Sequence, residues 1–307
     1  MKIITLTLNP AIDVHCHTAT FKPFKENHCT VTDRECGGKG VNISRALTVN
    51  GVDSLAFVVL GAENGNDFRN SLIQDGLTLS AVTVPGRIRE NITLHCDDSD
   101  ETRISFAGFA ADNTLLEKID AAVTPQVDNA SIVTLTGSNP KGLSVDGLKE
   151  LLRKWTRLGA KIVIDSRSFT LADLIEMKPW LIKPNQEEIS AYLGQEIDTF
   201  DQVVAAARNL YDQGISNVMI SLGPQGALLV CNEGVFAAIP PKIEALSTIG
   251  AGDSSIAGFL SVAEKTAADR LRTAVAFGTA ACLTSGTKPP LPADVKSVWE
   301  KVTVNNI

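Results

Sequence analysis

The chain has 307 residues, of which 44% are hydrophobic and 21% are charged, and its formal net charge is −7 at pH 7. This composition is typical of an ordinary globular protein with a large core, and the acidic balance disfavours nonspecific binding to nucleic acids or anionic membranes. No apolar run approaches the roughly 18 residues that a membrane-spanning helix needs. The start, MKIITLTLNP, is typical of a buried strand and not of a signal peptide. We therefore expect a cytoplasmic protein with no nucleic-acid or membrane partner.

The six cysteines show no CxxC pair and no other regular ligand spacing, so we expect reduced thiols and no disulfide framework. Alternation places His15 and His17 on the same face of a predicted strand. No acidic or thiol partner follows at a suitable spacing, so a structural metal site is disfavoured.

Two half-polar segments interrupt the apolar pattern of the N-terminal third. Residues 2–8 predict a central strand, but 11–36 alternate between polar and apolar residues, as do the two runs on either side of the polar turn 97–102. Such alternation is typical of a sheet with one wet face, and a polar turn between two alternating runs indicates a hairpin. We therefore predict a small β lid formed by about 11–36 and 86–109.

A glycine-rich loop with a lysine, Gly37-Gly38-Lys39-Gly40, opens the first predicted helix. Glycines let the backbone approach a ligand closely, and the ammonium group meets negative charge. The loop matches neither the Walker A motif nor the GxGxxG of a dinucleotide fold. A turn with an incidental lysine is the alternative.

Arginines follow at alternate positions in the second half of the predicted lid. Arg87, Arg89 and Asn91 alternate, so they share one face of a strand and present donors suited to a phosphate or a sugar. A solvated edge strand protected by arginine is the alternative.

The rest of the chain alternates strands with helices, which predicts βαβ units and a mostly parallel sheet. The predicted strands are 53–61, 131–137, 161–166, 180–185 and 217–223. Ligands in such sheets lie beyond the carboxyl ends of the strands. Ser138, Asp165, Asn185 and Gly223 fall at those ends.

Asn185 and Glu188 lie three residues apart at a strand-to-helix junction, where a carboxylate and an amide can organise Mg²⁺ through water. A helix-capping pair is the alternative. The next glycine turn, within 221–229, permits close approach by a flat or anionic ligand, and a plain hairpin is its alternative.

The segment TIGAGDSSIAGFLS, residues 248–261, combines two glycines, an aspartate and an apolar-periodic run. Gly250 and Gly252 let consecutive N–H groups face one concavity, and a helix that begins near Asp253 makes that concavity an anion site. Asp253 then lies beside the bound anion as a general base. An anion site and one carboxylate are the minimum that phosphoryl transfer to a hydroxyl requires. The alternative is that Asp253 only N-caps the helix.

Five of these motifs, NPAID, GGKGVN, KPNQEE, SLGPQGA and TIGAGDS, occur in an order that resembles the ribokinase-like (PfkB) carbohydrate kinases over essentially the whole chain. TLNPAIDV, GGKGVNISRAL, TGSNPKG and LIKPNQEE look like the phosphosugar branch of that family. The resemblance implies a kinase that uses ATP and Mg²⁺, with fructose 1-phosphate as the expected acceptor. Tagatose 6-phosphate is the main alternative, and 6-phosphofructokinase activity is another.

The resemblance also implies a three-layer α/β/α sandwich, with a mostly parallel central sheet and a β lid, as one kinase domain over 1–307. It implies Asp253 as the base, with the N–H groups of Gly250, Ala251 and Gly252 holding the transferring phosphoryl group. A homodimer through the lids is often found in this family.

The remaining implied site residues fall on two sides of Asp253. The sugar-side residues are Asp13, Gly38, Lys39, Asn42, Arg89 and Ser138. The nucleotide-side residues are Lys183, Asn185, Ser221, Gly223 and Gly226, with Glu188 holding Mg²⁺ through water.

Some positions depart from the pattern of the branch. Arg167 occupies a turn where the branch has small residues, and Asn139 stands where leucine is common. We hypothesise that Arg167 supplies a further phosphosugar contact. A catalytically silent sugar-phosphate sensor is a hypothesis of another class, but the intact Asp253 and glycine loop disfavour it.

Overall fold

The computed structural model describes residues 1–98 and 101–307, which form two β-sheets and the helices that cover them. Two residues of the predicted polar turn, 99 and 100, lie outside the described residues. Within the described ranges, no helix has the length and apolar character that crossing a membrane requires.

The larger sheet has ten strands, of which the seven from β11 to β5 in spatial order run parallel. The other three, β12 to β14, add to it antiparallel. In spatial order the strands are β14 (Thr303–Asn306), β13 (Gly234–Ile239), β12 (Ala227–Cys231), β11 (Asn217–Ser221), β10 (Leu181–Ile182), β9 (Lys161–Asp165), β8 (Ser131–Thr136), β1 (Lys2–Thr7), β4 (Ser54–Gly61) and β5 (Thr78–Val84).

Ten α-helices occur in the described part of the chain. They are α1 (Lys39–Val49), α2 (Gly65–Gln74), α3 (Thr114–Val123), α4 (Val145–Arg157), α5 (Leu171–Met177), α6 (Gln186–Leu193), α7 (Phe200–Asp212), α8 (Ala251–Ser261), α9 (Ala267–Ala281) and α10 (Pro292–Trp299).

The helices divide between the two faces of the sheet, because successive residues of a strand point to opposite faces. Ile4 packs in one core cluster with α2 to α7, whereas its neighbour Ile3 packs in the other with α1, α8, α9 and α10. The central strands are therefore buried on both faces, which explains their continuous runs of β-branched and apolar residues. The predicted three-layer α/β/α sandwich is confirmed.

The smaller sheet, which we call the lid sheet, has four strands in the order β3 (Thr30–Gly37), β2 (Ala11–Thr18), β6 (Arg89–Cys96) and β7 (Thr102–Ile104). Its strands lie in the two half-polar segments of the sequence. Parallel pairing of β2 with β6 joins the two segments and sets Asp13 opposite Asn91.

Several predicted boundaries are wrong. Strand β5 is missing from the predicted strands; it lies at the edge of the larger sheet, where it is half-buried, so its sequence resembles that of a lid strand. Strand β10 is much shorter than 180–185, because Pro184 has no N–H for a strand ladder and the chain turns there into α6. Two helices, α8 and α9, follow the glycine loop, and Thr266 caps the second by accepting from Asp269 N.

Candidate active site

A cavity of about 380 Å³ opens where the carboxyl ends of β1, β8 and β9 meet the lid sheet and the N-terminus of α8. All six sugar-side residues of the sequence prediction line this cavity, as do Lys183, Gly250, Gly252 and Asp253. The strands, the lid and the glycine loop therefore bring residues from across the whole chain to one place, as expected at the carboxyl edge of a parallel sheet.

The glycine loop forms the N-terminus of α8, which begins two residues before Asp253. Gly250 is the N-cap residue and has φ of +80°, a left-handed conformation that glycine adopts without steric cost. Its carbonyl accepts the first helical hydrogen bond, from Ser254 N at 2.9 Å. The N–H of Ala251 lies 3.4 Å from Thr248 O. The free N–H groups of the first helical turn and the helix dipole make this end an anion site.

Asp253 lies in the first turn of α8 and is not its N-cap, so the capping alternative is wrong. Its side chain makes no capping hydrogen bond; instead its Oδ2 accepts from Asn42 Nδ2 at 2.9 Å. Asp253 is 7% exposed. Burial raises the pKa of Asp253 to about 6, although Lys39 and the Asn42 hydrogen bond partly oppose that shift. A carboxyl group in this range accepts a proton readily near neutral pH.

Lys39 and Lys183 place two cations beside Asp165, at the end of β9. Lys39 Nζ donates to Asp165 Oδ2 at 2.8 Å. Burial disfavours ionisation of Asp165, but Lys183 and Lys39 outweigh it and hold the pKa of Asp165 below its usual value. The predicted sugar-side residue Lys39 is therefore paired with a carboxylate of the site.

Lys183 is 6% exposed and follows the end of β10. No hydrogen-bond acceptor for its Nζ is found among residues 1–98 and 101–307. A Cβ built on Gly252 would lie only 3.1 Å from that Nζ, so the ammonium group lies directly against the N-terminus of α8. A buried cation next to a helix N-terminus favours a bound anion, such as a phosphate group.

The lid contributes Asp13, whose Oδ1 accepts from Asn91 Nδ2 at 2.9 Å and from Arg103 Nη2 at 3.1 Å. Arg89 lies beside this group, and its Nε is buried without a hydrogen-bond partner in the described structure. The lid wall of the cavity therefore carries two guanidinium groups.

Arg103 is a cavity residue that the sequence prediction missed. It lies opposite Thr93 across the β6–β7 hairpin, and the alternation of RISF after the polar turn is the signal that places its side chain on the Arg89 face. Conversely, Arg87 lies outside the cavity, because β6 begins only at Arg89 and the Arg87 guanidinium pairs with Glu90 at 2.7 Å.

Gly38 and Ser138 lie where β1 and β8 end. Gly38 has φ of +134°, and a Cβ there would lie 2.6 Å from Thr7 Cγ2, so only glycine fits. Ser138 Oγ accepts from Asn9 Nδ2 at 3.0 Å. These contacts bring the GGKG loop against the end of the central strand.

Apart from Lys183, the nucleotide-side residues cluster at the start of α6, outside the cavity lining. Asn185 and Ser221 form a β-bridge, and Gly223 and Gly226 have positive φ angles of +57° and +99° in the following turn. The predicted capping alternative is present: Asn185 Oδ1 accepts from Glu188 N at 2.7 Å, and Glu188 Oε2 accepts from Asn185 N at 3.1 Å.

Arg167 lies on this nucleotide side and does not line the cavity. Its Nε donates to Glu188 Oε1 at 3.0 Å. No cluster of three or more potential metal ligands occurs in the described residues. The single carboxylate of Glu188 nevertheless fits Mg²⁺, which commonly keeps several waters and uses one or two carboxylates together with substrate phosphates.

The known proteins that this chain resembles point to one family. Residues 8–294 match the model of the pfkB family carbohydrate kinases. The chain is 33% identical to a 1-phosphofructokinase of Haemophilus influenzae over 86% of this chain and 84% of that protein. It is 31% identical to the ATP-dependent 6-phosphofructokinase isozyme 2 of Escherichia coli over 97% of this chain and 98% of that protein.

Among solved structures, it resembles phosphofructokinase-2 from Escherichia coli in complex with substrates and products. The TM-score is 0.92 and the identity 29%, over 98% of this chain and 99% of that one. Because the family model spans most of the chain and the fold agrees throughout, the chain belongs to the pfkB family of carbohydrate kinases and is a sugar kinase, a phosphotransferase with an alcohol group as acceptor.

Proposed function

We propose that this kinase transfers the γ-phosphoryl group of ATP to a hydroxyl of a phosphosugar, and that fructose 1-phosphate, phosphorylated at O6, is its substrate. The observation that carries the proposal is the buried carboxyl group of Asp253, with a pKa of about 6, at the N-terminus of α8. It faces a cavity that also holds Arg89, Arg103 and Lys39, and these cations suit a substrate that brings its own phosphate.

Asp253 takes the proton of the acceptor hydroxyl as that oxygen attacks the γ-phosphorus. The N–H groups around Gly252 and the dipole of α8 stabilise the charge on the transferring phosphoryl group. Lys183, buried against the same helix end, holds the phosphates on the nucleotide side. Closure of the lid sheet excludes water, so ATP is not lost to hydrolysis.

Arg89, Arg103 and Lys39 fix the existing phosphate of the sugar, while Asp13 and Asn42 accept and donate hydrogen bonds to its hydroxyls. This division keeps the acceptor hydroxyl beside Asp253, because a fixed phosphate sets the register of a small substrate. On the nucleotide side, Ser221 and the turn with Gly223 and Gly226 contact ATP.

We assign Mg²⁺ to the carboxylate of Glu188, contacted through water, with Asn185 holding that carboxylate in place. A magnesium ion held there would supply positive charge to the phosphate oxygens of ATP.

The relatives support a phosphosugar substrate, since their names are 1-phosphofructokinase and 6-phosphofructokinase. Tagatose 6-phosphate and fructose 6-phosphate are the alternatives within this class. Fructose 6-phosphate differs from fructose 1-phosphate in the position of the phosphate, and tagatose 6-phosphate differs both in that position and in the stereochemistry at one carbon.

We also propose a homodimer through the lid. Val31, Ile104 and Phe106 expose large apolar side chains on its strands and the segment after β7. Ile104→Asp is expected to shift the sedimentation coefficient from that of a dimer to that of a monomer; a monomeric parent protein would refute the assignment.

A substrate panel tests the function. ADP release is measured with Mg-ATP and fructose 1-phosphate, tagatose 6-phosphate, fructose 6-phosphate, fructose or ribose, with Asp253→Asn as the control. We expect the highest kcat/KM with fructose 1-phosphate. A preference for a free sugar contradicts the role of the cavity cations. Absence of Asp253-dependent turnover with every sugar favours the sensor hypothesis.

The acid limb of the pH profile is expected to move in an Asn42→Ala variant. The base must be ionised, so kcat at saturating substrate falls as the pH drops below about 6. Removal of the Asn42 hydrogen bond destabilises the carboxylate, so the variant loses activity at a higher pH than the parent. Because the phosphate of the sugar titrates identically in both enzymes, the difference between the two profiles isolates Asp253. Superimposable acid limbs contradict this assignment.

A further inference from the structure

The turn after β9 places a guanidinium group on the carboxylate that we assign to magnesium. Arg167 lies two residues beyond Asp165, and its side chain is 79% exposed. Its Nε donates to Glu188 Oε1 at 3.0 Å, and the Glu188 side chain is only 18% exposed. The contact joins two elements that are adjacent only in the folded chain.

Both carboxylate oxygens of Glu188 have donors in this arrangement. Oε2 accepts from Asn185 N within the α6 capping box, and Oε1 accepts from Arg167. The capping bond comes from a fixed backbone N–H, whereas the Arg167 bond comes from a long side chain in contact with solvent. A new ligand can therefore bind Oε1 by displacing only the Arg167 side chain, without any movement of the backbone.

The charge of the Glu188 carboxylate is balanced mainly by Arg167. Asp165, Lys183 and Tyr192 line a small pocket together with Glu188, with room for about one water-sized sphere. Lys39 already pairs with Asp165. Among the described residues, Arg167 is the cation that is within ion-pair distance of Glu188.

We propose that Arg167 is a positioning residue that competes with the divalent cation for Glu188 and so sets the magnesium dependence of nucleotide binding. The inference rests on the proposed function, because it takes Glu188 as the magnesium carboxylate. When Mg²⁺ arrives with ATP, the guanidinium leaves Oε1 and turns toward a phosphate oxygen of the nucleotide. In the absence of Mg²⁺, Arg167 and Lys183 together neutralise part of the phosphate charge.

This placement gives the departure at position 167 a role on the nucleotide side. This nucleotide-side role replaces the expected phosphosugar contact, since Arg167 does not line the cavity that holds Asp253. Exposed ion pairs change equilibria by a factor of about five or less, and repulsion between a guanidinium and a divalent ion acts in the same direction. We therefore expect a three- to tenfold effect.

The experiment measures how strongly Mg²⁺ and nucleotide binding are coupled. The dissociation constant of a non-hydrolysable ATP analogue is determined by calorimetry with excess Mg²⁺ and again with EDTA. The constant with EDTA divided by the constant with Mg²⁺ is the coupling factor. For Arg167→Gln we expect a coupling factor three- to tenfold larger than for the parent. Arg167→Lys, which keeps the charge, is expected to restore most of the parental value.

Arg153→Gln is the matched control, because Arg153 also forms ion pairs with glutamates but lies on α4, away from the site. Its coupling factor is expected to equal that of the parent. An Arg167→Gln coupling factor within twofold of the parent overturns the inference, whether or not the melting temperature falls. A raised phosphosugar KM with unchanged coupling also overturns it and returns Arg167 to the sugar side. Absence of nucleotide binding to the parent protein itself overturns the proposed function as well.

Discussion

Asp253→Asn is expected to lower kcat by a factor of about 10²–10⁴, the range that a positioned general base contributes. Asparagine has nearly the same shape and keeps a side-chain oxygen toward Asn42, but it cannot take the proton of the acceptor hydroxyl. The N–H groups of α8 and Lys183 are unchanged, so the affinity for Mg-ATP is expected to persist. The measurement is kcat from ADP release, together with the dissociation constant of Mg-ATP by calorimetry.

Asp13→Asn is the comparison for this prediction, because Asp13 is also a buried carboxylate of the cavity but belongs to the lid. It accepts from Asn91 and Arg103 and is expected to act on the sugar, so its loss raises the phosphosugar KM more than it lowers kcat. An Asp253→Asn enzyme with near-normal turnover eliminates Asp253 as the base.

Lys39→Met is expected to raise the KM for the phosphosugar by about 10- to 100-fold, the range for loss of a hydrogen bond to a charged group. Methionine keeps the length and apolar stem of lysine but removes the ammonium group that pairs with Asp165 at 2.8 Å. Asp165 keeps Lys183 as a counter-charge, so we expect the protein to remain folded. The kinetics are measured at pH 8, where Asp253 is ionised, because the loss of Lys39 raises the pKa of Asp253 further.

Lys154→Met serves as the matched control for the lysine. Lys154 also pairs with an aspartate at 2.8 Å, and its side chain is about as exposed, but it lies on α4 away from the cavity. Its phosphosugar KM is expected to equal that of the parent. Selective loss of ATP affinity in Lys39→Met, with the phosphosugar KM unchanged, moves the GGKG loop to the nucleotide side.

Local sequence patterns predicted the central strands of the larger sheet and the strands of the lid sheet. Strands β8 and β9 are buried on both faces, so their sequences are continuous runs of apolar and β-branched residues. The lid strands β2 and β6 have one polar face, so theirs alternate. The edge strand β5 was missed because it has only one neighbouring strand and is half-buried. A half-buried strand of the larger sheet alternates polar and apolar residues just as a strand of the lid sheet does.

The position of the glycine loop was also readable from the sequence, since Gly250 and Gly252 stand directly before an apolar-periodic run. Whether Asp253 caps that helix or faces the cavity was not readable. Ser254 bonds to Gly250, which starts the helix two residues earlier than predicted and turns Asp253 toward Asn42. Helix starts shift by a residue or two with tertiary packing, and such a shift decides which way a side chain points.

The sequence by itself therefore determined the α/β order of the chain, the lid segments and the glycine loop that carries Asp253. Tertiary structure alone decided the electrostatics of the site. The hydrogen-bonded residues Asn42 and Asp253 are 211 positions apart in the chain, and the ion-paired residues Lys39 and Asp165 are 126 apart. Arg167, in the turn after β9, pairs with Glu188 in α6. The pKa of Asp253 and the partner of Glu188 depend on burial and on charges a few ångströms away in space, and Coulomb interactions follow distance in space, not separation along the chain.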